Sequence, residues 1–220
     1  MAALRGMLLD VDGTLLDSND AHARAWEEAL ADQGFRVGFQ RIRRLIGMGS
    51  DKLVPSLTHL SPEDPRAERL QKRRGELFRI RLPSLRPFAR ARELLAALGR
   101  RGLVRVTATS ATAEDMRALL KQADVADLMD ATVSSDDVDR SKPDPDIVRT
   151  ALDRAALRPD QAVLVGDTAY DVAAARRAGV RAIAVRSGGW RDGELDGAVA
   201  IFDDVADLFV HLDDVVARWR

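Results

Sequence analysis

Residues 7–18 read MLLDVDGTLLDS. A short apolar run, Met7 to Leu9, leads into two aspartates separated only by Val11, and Gly13-Thr14 follows at once. In a strand, side chains alternate between faces, so Asp10 and Asp12 would point the same way where the strand ends. Two carboxylates crowded there repel one another unless something cationic lies beside them. Gly13 lets the chain bend sharply after the pair. The stretch therefore predicts a strand that ends at a polar, cation-seeking site.

The bulk composition bounds what such a site can serve. The 220 residues are 46% hydrophobic and carry a net charge of −1, which fits one large globular domain or a core with a smaller insertion. With no overall positive field, neither nucleic acid nor a membrane surface is expected as a partner, and a small molecule fits better. The chain contains no cysteine, which excludes disulfides, thiol catalysis and thiolate metal sites, and fits a reducing cytoplasm. The first apolar run is broken by Asp10, too early for a signal peptide or membrane span. A soluble cytoplasmic protein is expected, and nothing in the sequence chooses between monomer and dimer. Lysine is scarce, at Lys52, Lys72, Lys121 and Lys142 only.

From about residue 88, apolar runs alternate with helical patterns, the βα rhythm of a parallel sheet covered on both faces. LVRVTAT, QAVLVG and VRAIAV read as strands, and DATVSS as a further short one. FARARELLAALGRRG, TAEDMRALLKQ, PDIVRTALDRAA and DVAAARRAG read as helices, and the spacing of Val205, Leu208, Phe209, Leu212, Val215 and Trp219 predicts one closing amphipathic helix. Residues 18–84 show long helical stretches with no strand signal. The expected fold is a doubly wound, Rossmann-like α/β core, residues 1–16 and 85–220, with an all-helical insertion at 17–84. Thr14–Ser18 and Leu82–Pro87 are the expected linkers, the second stiffened by Pro83 and Pro87.

In an open α/β sheet, ligands bind beyond the carboxyl ends of the strands. Asp10 and Asp12, Thr109 and Ser110, Lys142, and Asp167 with Asp171 all fall at or near such positions. Together they supply carboxylates, one ammonium and a hydroxyl, the set that Mg²⁺ and a phosphoryl group require. An aspartate can attack phosphorus, provided that a second carboxyl carries the proton to the leaving alcohol and later activates water. Each residue alone has a plainer reading. Thr109, Ser110 and Asp167 could cap helices, and Lys142 could be a surface lysine before a proline-started helix. His22 could be packing on the Trp26 face, and Gly47, Gly49, Ser50 and Lys52 could be a helix end. The arginines from Arg66 to Arg92 read as a solvated helix face.

Taken in order, DVDGT at 10–14, Thr109 after an apolar strand, Lys142 in SKPDPD and GDTAYD at 166–171 resemble the four motifs of the haloacid dehalogenase superfamily of phosphohydrolases. The match spans almost the whole chain, the insertion resembling the family's small helical cap. The resemblance implies Asp10 as nucleophile, Asp12 as general acid and base, and Thr109, with Ser110 beside it, and Lys142 as phosphate ligands. It also implies Mg²⁺ held by Asp10, the Asp12 backbone carbonyl and Asp167, with Asp171 supporting.

Within the superfamily, an acid at position 12 argues for phosphate chemistry rather than dehalogenation. DSNDAHARAW at 17–26 is similar to the cap entrance of the phosphoglycolate phosphatase and β-phosphoglucomutase-like subgroup, which draws attention to His22. The cap loop, with Gly47, Ser50 and Lys52, is the expected specificity element. GDTAYD lacks the Glu-Asp start common in the mutases, and IGMGSDK at 46–52 lacks their arginine. A phosphatase acting on a small phosphorylated metabolite is therefore expected ahead of a sugar phosphomutase. A phospho-aspartate switch module is further off, because in receiver domains the phosphorylated aspartate lies on a later strand than the acidic pair and no cap is present.

Overall fold

β1 (Gly6–Leu9) is followed by four helices, α1 (Asn19–Asp32), α2 (Phe39–Arg43), α3 (Ser50–Thr58) and α4 (Pro65–Arg81), before the chain returns through α5 (Ala91–Arg100) to β2 (Val104–Thr107). Helices α6 (Ala113–Gln122) and α7 (Asp146–Ala155) lead to β3 (Ala162–Gly166), α8 (Ala169–Arg177), β4 (Arg181–Val185) and β5 (Ala198–Phe202). Helices α9 (Val205–Val210) and α10 (Leu212–Ala217) close the chain. This is a computed structural model, and it describes residues 2–219.

The strands form one parallel sheet in the order β2-β1-β3-β4-β5. β1 and β3 are buried along their whole length, as central strands covered on both faces must be, and this is why they read as unbroken apolar runs. Alternation sorts their side chains. Met7, Leu9 and Val165 pack toward Leu94, Leu98 and Leu208, whereas Leu8, Val106 and Leu164 pack toward Ile147, Ala151 and Ala175. The chain leaves β1 for β2 on one side and later places β3 on the other, so the winding direction reverses at β1. Asp10 follows directly on β1, with its N–H donating to the Val165 carbonyl at 2.9 Å, and so stands at the switch point where such sheets bind ligands.

The residues between β1 and α5 contribute no strand to this sheet. α1 packs against α2 and α4, and α4 begins with Pro65 in its first turn and Asp64 accepting the Arg66 N–H at 2.8 Å. The two crossings between helical layer and core run side by side: the Asp17 N–H donates to the Arg86 carbonyl at 3.0 Å, and the Phe88 N–H to the Leu15 carbonyl at 3.0 Å. Among the described residues, no helix is long and apolar enough to cross a membrane.

Three elements depart from the sequence reading. DATVSS forms only a bridge from Ala131 to Val106, not a strand. The reason is local: the Thr107 hydroxyl accepts the Val133 N–H at 2.7 Å and donates to the Val133 carbonyl at 3.0 Å, replacing backbone pairing with a side chain. β5 carries Val199 and Ile201 between Gly197 and Asp203, a signal short enough to be overlooked, and lies at the sheet edge. The closing helix is broken at His211, whose ring bonds the Asp207 carbonyl at 3.0 Å, giving α9 and α10 instead of one helix.

The packing predicts a sharp contrast between two aliphatic positions. Leu164, fully buried in β3, should cost about 2–5 kcal/mol of stability when changed to Ala. Ile80, 75% exposed on α4, should change stability by no more than about 0.5 kcal/mol when changed to Ser. Urea denaturation of both variants measures the difference.

Candidate active site

The loop after β1 is built around Val11, whose carbonyl accepts the N–H groups of Thr14, Leu15 and Leu16. Gly13 takes φ +72°, and a Cβ there would stand 2.1 Å from an Asp167 carboxylate oxygen. Only glycine permits both the turn and that approach. The turn sends Asp10 and Asp12 to different surroundings.

Asp10 is buried and ion-paired to the Lys142 ammonium at 2.9 Å. Lys142, itself wholly buried, also pairs with Asp171 at 2.7 Å. Asp171 caps the start of α8 as well, accepting from the Thr168 N–H at 3.1 Å and the Thr168 hydroxyl at 2.5 Å. Asp167, at the end of β3, accepts from the Asn19 amide at 2.7 Å and weakly from the Thr14 hydroxyl at 3.4 Å. Carboxylate oxygens of Asp10, Asp167 and Asp171 all lie within 4.8 Å of one another.

Electrostatics follow from that crowding. Burial raises the Asp10 carboxyl; Lys142 pulls it back, Asp171 and Asp12 add to the rise, and it settles at about 7. Asp167 is pushed well above the ordinary carboxylate range by burial and by the charges of Asp10 and Asp171, which Asn19 and Lys142 offset only in part. Burial would lower Lys142, but Asp10 and Asp171 hold its ammonium above its usual range. Three buried carboxylates against one ammonium form an excess of hard oxygen donors. That donor set fits a divalent cation of the Mg²⁺ type.

Asp12 turns away from this cluster. Its carboxylate accepts from the Ser18 hydroxyl at 2.5 Å and meets His22 Nε2 at 2.8 Å, and the His22 ring stacks on Phe78 at 3.8 Å between centroids. Burial alone would raise Asp12, but His22, Ser18 and, more weakly, Arg74 together hold it below its ordinary value. Its side chain is thus outside the carboxylate cluster, leaving only its backbone to serve the metal role expected of it.

A cavity of about 60 Å³ separates the strand ends from the helical layer. Asp10, Asp12, Thr109 and Ser110 line it from the core, and His22, Trp26, Gly47, Ser50, Leu53 and Arg74 from the helices. Thr109 accepts the Ala111 N–H at 3.1 Å, so its own hydroxyl hydrogen remains available to donate; Thr112, not Thr109 or Ser110, caps α6. Ser110 spends its hydroxyl on the Gly47 carbonyl at 3.1 Å, and Ser50 lends its own to Gln71 at 2.8 Å. Gly47, at φ +105°, leaves no room for a Cβ, which would meet Thr168 at 2.8 Å.

Lys52 is the expected site residue that the structure places elsewhere. Its ammonium pairs with Asp144 at 2.7 Å and Asp51 at 3.6 Å, and it does not line the cavity. Two carboxylates, Asp51 beside it and Asp144 across on the core, decide this. Lys52 is instead part of a polar joint between helices and core, with Ser141 donating to Asp51 and accepting the Gly49 N–H at 3.0 Å. Sequence reasoning also passed over Asn19 and Arg74. Asn19 is a polar residue in the first turn of a helix and is read as a capping residue, while Arg74 is hidden among neighbouring arginines that do face solvent.

The family model for haloacid dehalogenase-like hydrolases matches residues 7–185. The fructose-1-phosphate phosphatase YqaB of Escherichia coli K12 is 31% identical over 183 residues, covering 82% of this chain and 96% of that protein. A phosphoglycolate phosphatase of Rhodospirillum rubrum is 31% identical over 214 residues, covering 93% and 89%. A crystal structure of a hydrolase from Pseudomonas syringae superposes with a TM-score of 0.90 at 32% identity, covering 96% of this chain and 99% of that one.

The raised carboxyls predict a particular pH dependence of stability. In the folded protein Asp10 keeps its proton up to about 7, whereas the unfolded chain loses it near 3.8, so folding takes up a proton between those values. Stability from this group is present at low pH and lost as pH rises through about 7. Calorimetry of metal-stripped protein should show Tm falling from pH 5 to pH 8, and added Mg²⁺ should raise Tm more at pH 8 than at pH 5.

Proposed function

The chain belongs to the haloacid dehalogenase-like hydrolases, and we propose that it is a Mg²⁺-dependent phosphatase that hydrolyses a small-metabolite phosphomonoester through an aspartyl-phosphate on Asp10. Hydrolysis of phosphomonoesters is the chemistry named for its relatives. One observation carries the reading: a fully buried lysine bridging Asp10 and Asp171, beside a third buried carboxylate, directly behind the Asp10 that lines the cavity. A purely structural role would not call for that excess of charge at a strand end.

Asp10, Asp167 and the Asp12 backbone would hold Mg²⁺, with Asp171 supporting. The bound ion supplies positive charge that keeps Asp10 ionised and offsets the phosphoryl oxygens. An oxygen of Asp10 attacks phosphorus while the bond to the leaving oxygen breaks, and the leaving oxygen takes up a proton that Asp12 has first drawn from solvent in the cavity. Asp12 then removes a proton from water, which attacks the phosphorus of the aspartyl-phosphate, frees Asp10 and releases inorganic phosphate. His22 and Ser18 position the Asp12 carboxyl. Lys142 holds Asp10 and a phosphoryl oxygen, and the Thr109 hydroxyl donates to another.

Residues 17–84 act as a cap over this site, hinged at the paired linkers. With the cap in its present position the cavity of about 60 Å³ holds only a few water-sized groups, each needing about 10–15 Å³. A short leaving group fits such a space. The lack of cysteine supports a reducing, cytoplasmic setting.

The experiment is phosphate release from a panel of phosphorylated metabolites with Mg²⁺, followed by rapid-quench mass spectrometry. Asp10→Asn should abolish turnover and leave no phosphate on the protein. Asp12→Asn should slow turnover by about 10²- to 10⁴-fold yet accumulate phosphate on Asp10 with nitrophenyl phosphate, whose leaving group needs little proton help. Phosphate on Asp12 instead, or full turnover in excess EDTA, contradicts the mechanism. Lys142→Ala, which strands buried carboxylates, should cost about 3–5 kcal/mol in transition-state stabilisation. A loss below tenfold in kcat/KM removes Lys142 from the assigned role.

A further inference from the structure

Most basic side chains of α4 face solvent, Arg66, Arg73 and Arg79 among them, and pair with acids there. Arg74 does not. Its side chain is only 11% exposed, it reaches into the cavity wall, and one of its terminal nitrogens donates to Asp115 of the core helix α6 at 2.8 Å. The Trp26 ring lies 5.5 Å from its guanidinium carbon. The Nε–H is buried and has no hydrogen-bond partner among the described residues. A buried donor left without a partner carries a desolvation cost that a ligand acceptor would relieve.

Arg74 is also the only arginine or lysine lining the cavity among the described residues, and it stands there with Asp12, on the cap side. A guanidinium offers five donors and no acceptor, in a planar fork that matches a carboxylate and makes poor use of a neutral hydroxyl, which both donates and accepts. Asp115 occupies one part of that fork and fixes its orientation from the core. Leu53 and Ile46 supply apolar walls beside it, which favour a compact group over a long polar one.

We propose that Arg74 is a specificity residue that receives a carboxylate on the leaving group, so that the enzyme prefers short phosphomonoesters of hydroxy acids to neutral phosphorylated alcohols of equal length. This rests on the phosphatase reading of the same site. A carboxylate fits the limited cavity better than a second phosphate, and its charge meets the one cation on the cap side. Asp115 acts as a positioning residue, because it touches Arg74 and does not itself line the cavity.

The test compares 2-phosphoglycolate with 2-hydroxyethyl phosphate, equal in chain length and differing in the carboxylate, with the full-length protein and Mg²⁺. Wild type should show a kcat/KM ratio of at least about tenfold in favour of the carboxylate, the scale of a charge-assisted hydrogen bond. Arg74→Gln should bring that ratio toward one, chiefly through KM for the carboxylate substrate. Arg74→Lys, which keeps the charge but loses the fork, should retain part of it. A wild-type ratio below threefold overturns the inference without needing any variant to fold. So does an unchanged ratio in Arg74→Gln when both substrates slow equally. If no phosphomonoester, nitrophenyl phosphate included, releases phosphate with Mg²⁺, the phosphatase reading falls and this inference with it.

Discussion

Lys142 is the charge on which the strand-end site depends. It is wholly buried between Asp10 and Asp171, and Asp167 lies close enough for oxygens of all three acids to fall within 4.8 Å. Burying one ion pair is costly, and burying a surplus of carboxylates is more so, because each must find a compensating charge or take up a proton. The surrounding apolar sheet meets that cost through strands that are buried on both faces. The same burial raises the Asp10 and Asp167 carboxyls, so a cation placed among them would favour their ionised forms.

The cap is joined to the core in two physically different ways. Its linkers are zipped by backbone hydrogen bonds and buried leucines, Leu15 and Leu16, which fix where it can pivot. Its far side meets the core through small polar contacts: Gly47 with Ser110, Gly49 with Ser141, Lys52 with Asp144, and Tyr170 with the Arg44 carbonyl at 2.9 Å. Arg44 also lies over the Trp190 ring at 3.8 Å and pairs with Glu194. Partly exposed pairs of this kind contribute at most about 1 kcal/mol each. A joint so composed is weaker than the buried packing on either side of it.

Asp12 is held from both parts. Asp12 belongs to the loop after β1, yet its two partners, Ser18 and His22, belong to the entrance of the helical layer. Arg74 repeats the pattern in reverse, a cap residue steadied by Asp115 from the core. In both arrangements a polar side chain of one part is held by residues of the other.

How much of this was legible in the chain depends on sequence distance. Asp10 and Asp12 announced themselves because an apolar run, two acids and Gly13 lie within a few residues, although β1 ends at Leu9 and the two side chains do not share a face as alternation predicted; the βα rhythm after residue 88 is likewise a local pattern. The order of Thr109, Lys142 and Asp167 along successive elements was readable too, since parallel topology sends every strand end to the same edge. The DATVSS segment was misread because its partner is a side chain, Thr107, which no propensity records. Asn19, Arg74 and Asp115 gave no signal, and Lys52 gave a false one, for a shared reason. Whether a polar side chain faces a cavity, a carboxylate or solvent is decided by residues tens to hundreds of positions away, as Asn19 meets Asp167 across 148 residues. The sequence by itself determined four of the five strands of the parallel sheet, the charged motifs and their order; only the tertiary structure decided which of two adjacent arginines, Arg73 or Arg74, would be turned inward, because one face of α4 meets Asp32 and solvent while the next meets Asp115 and the site.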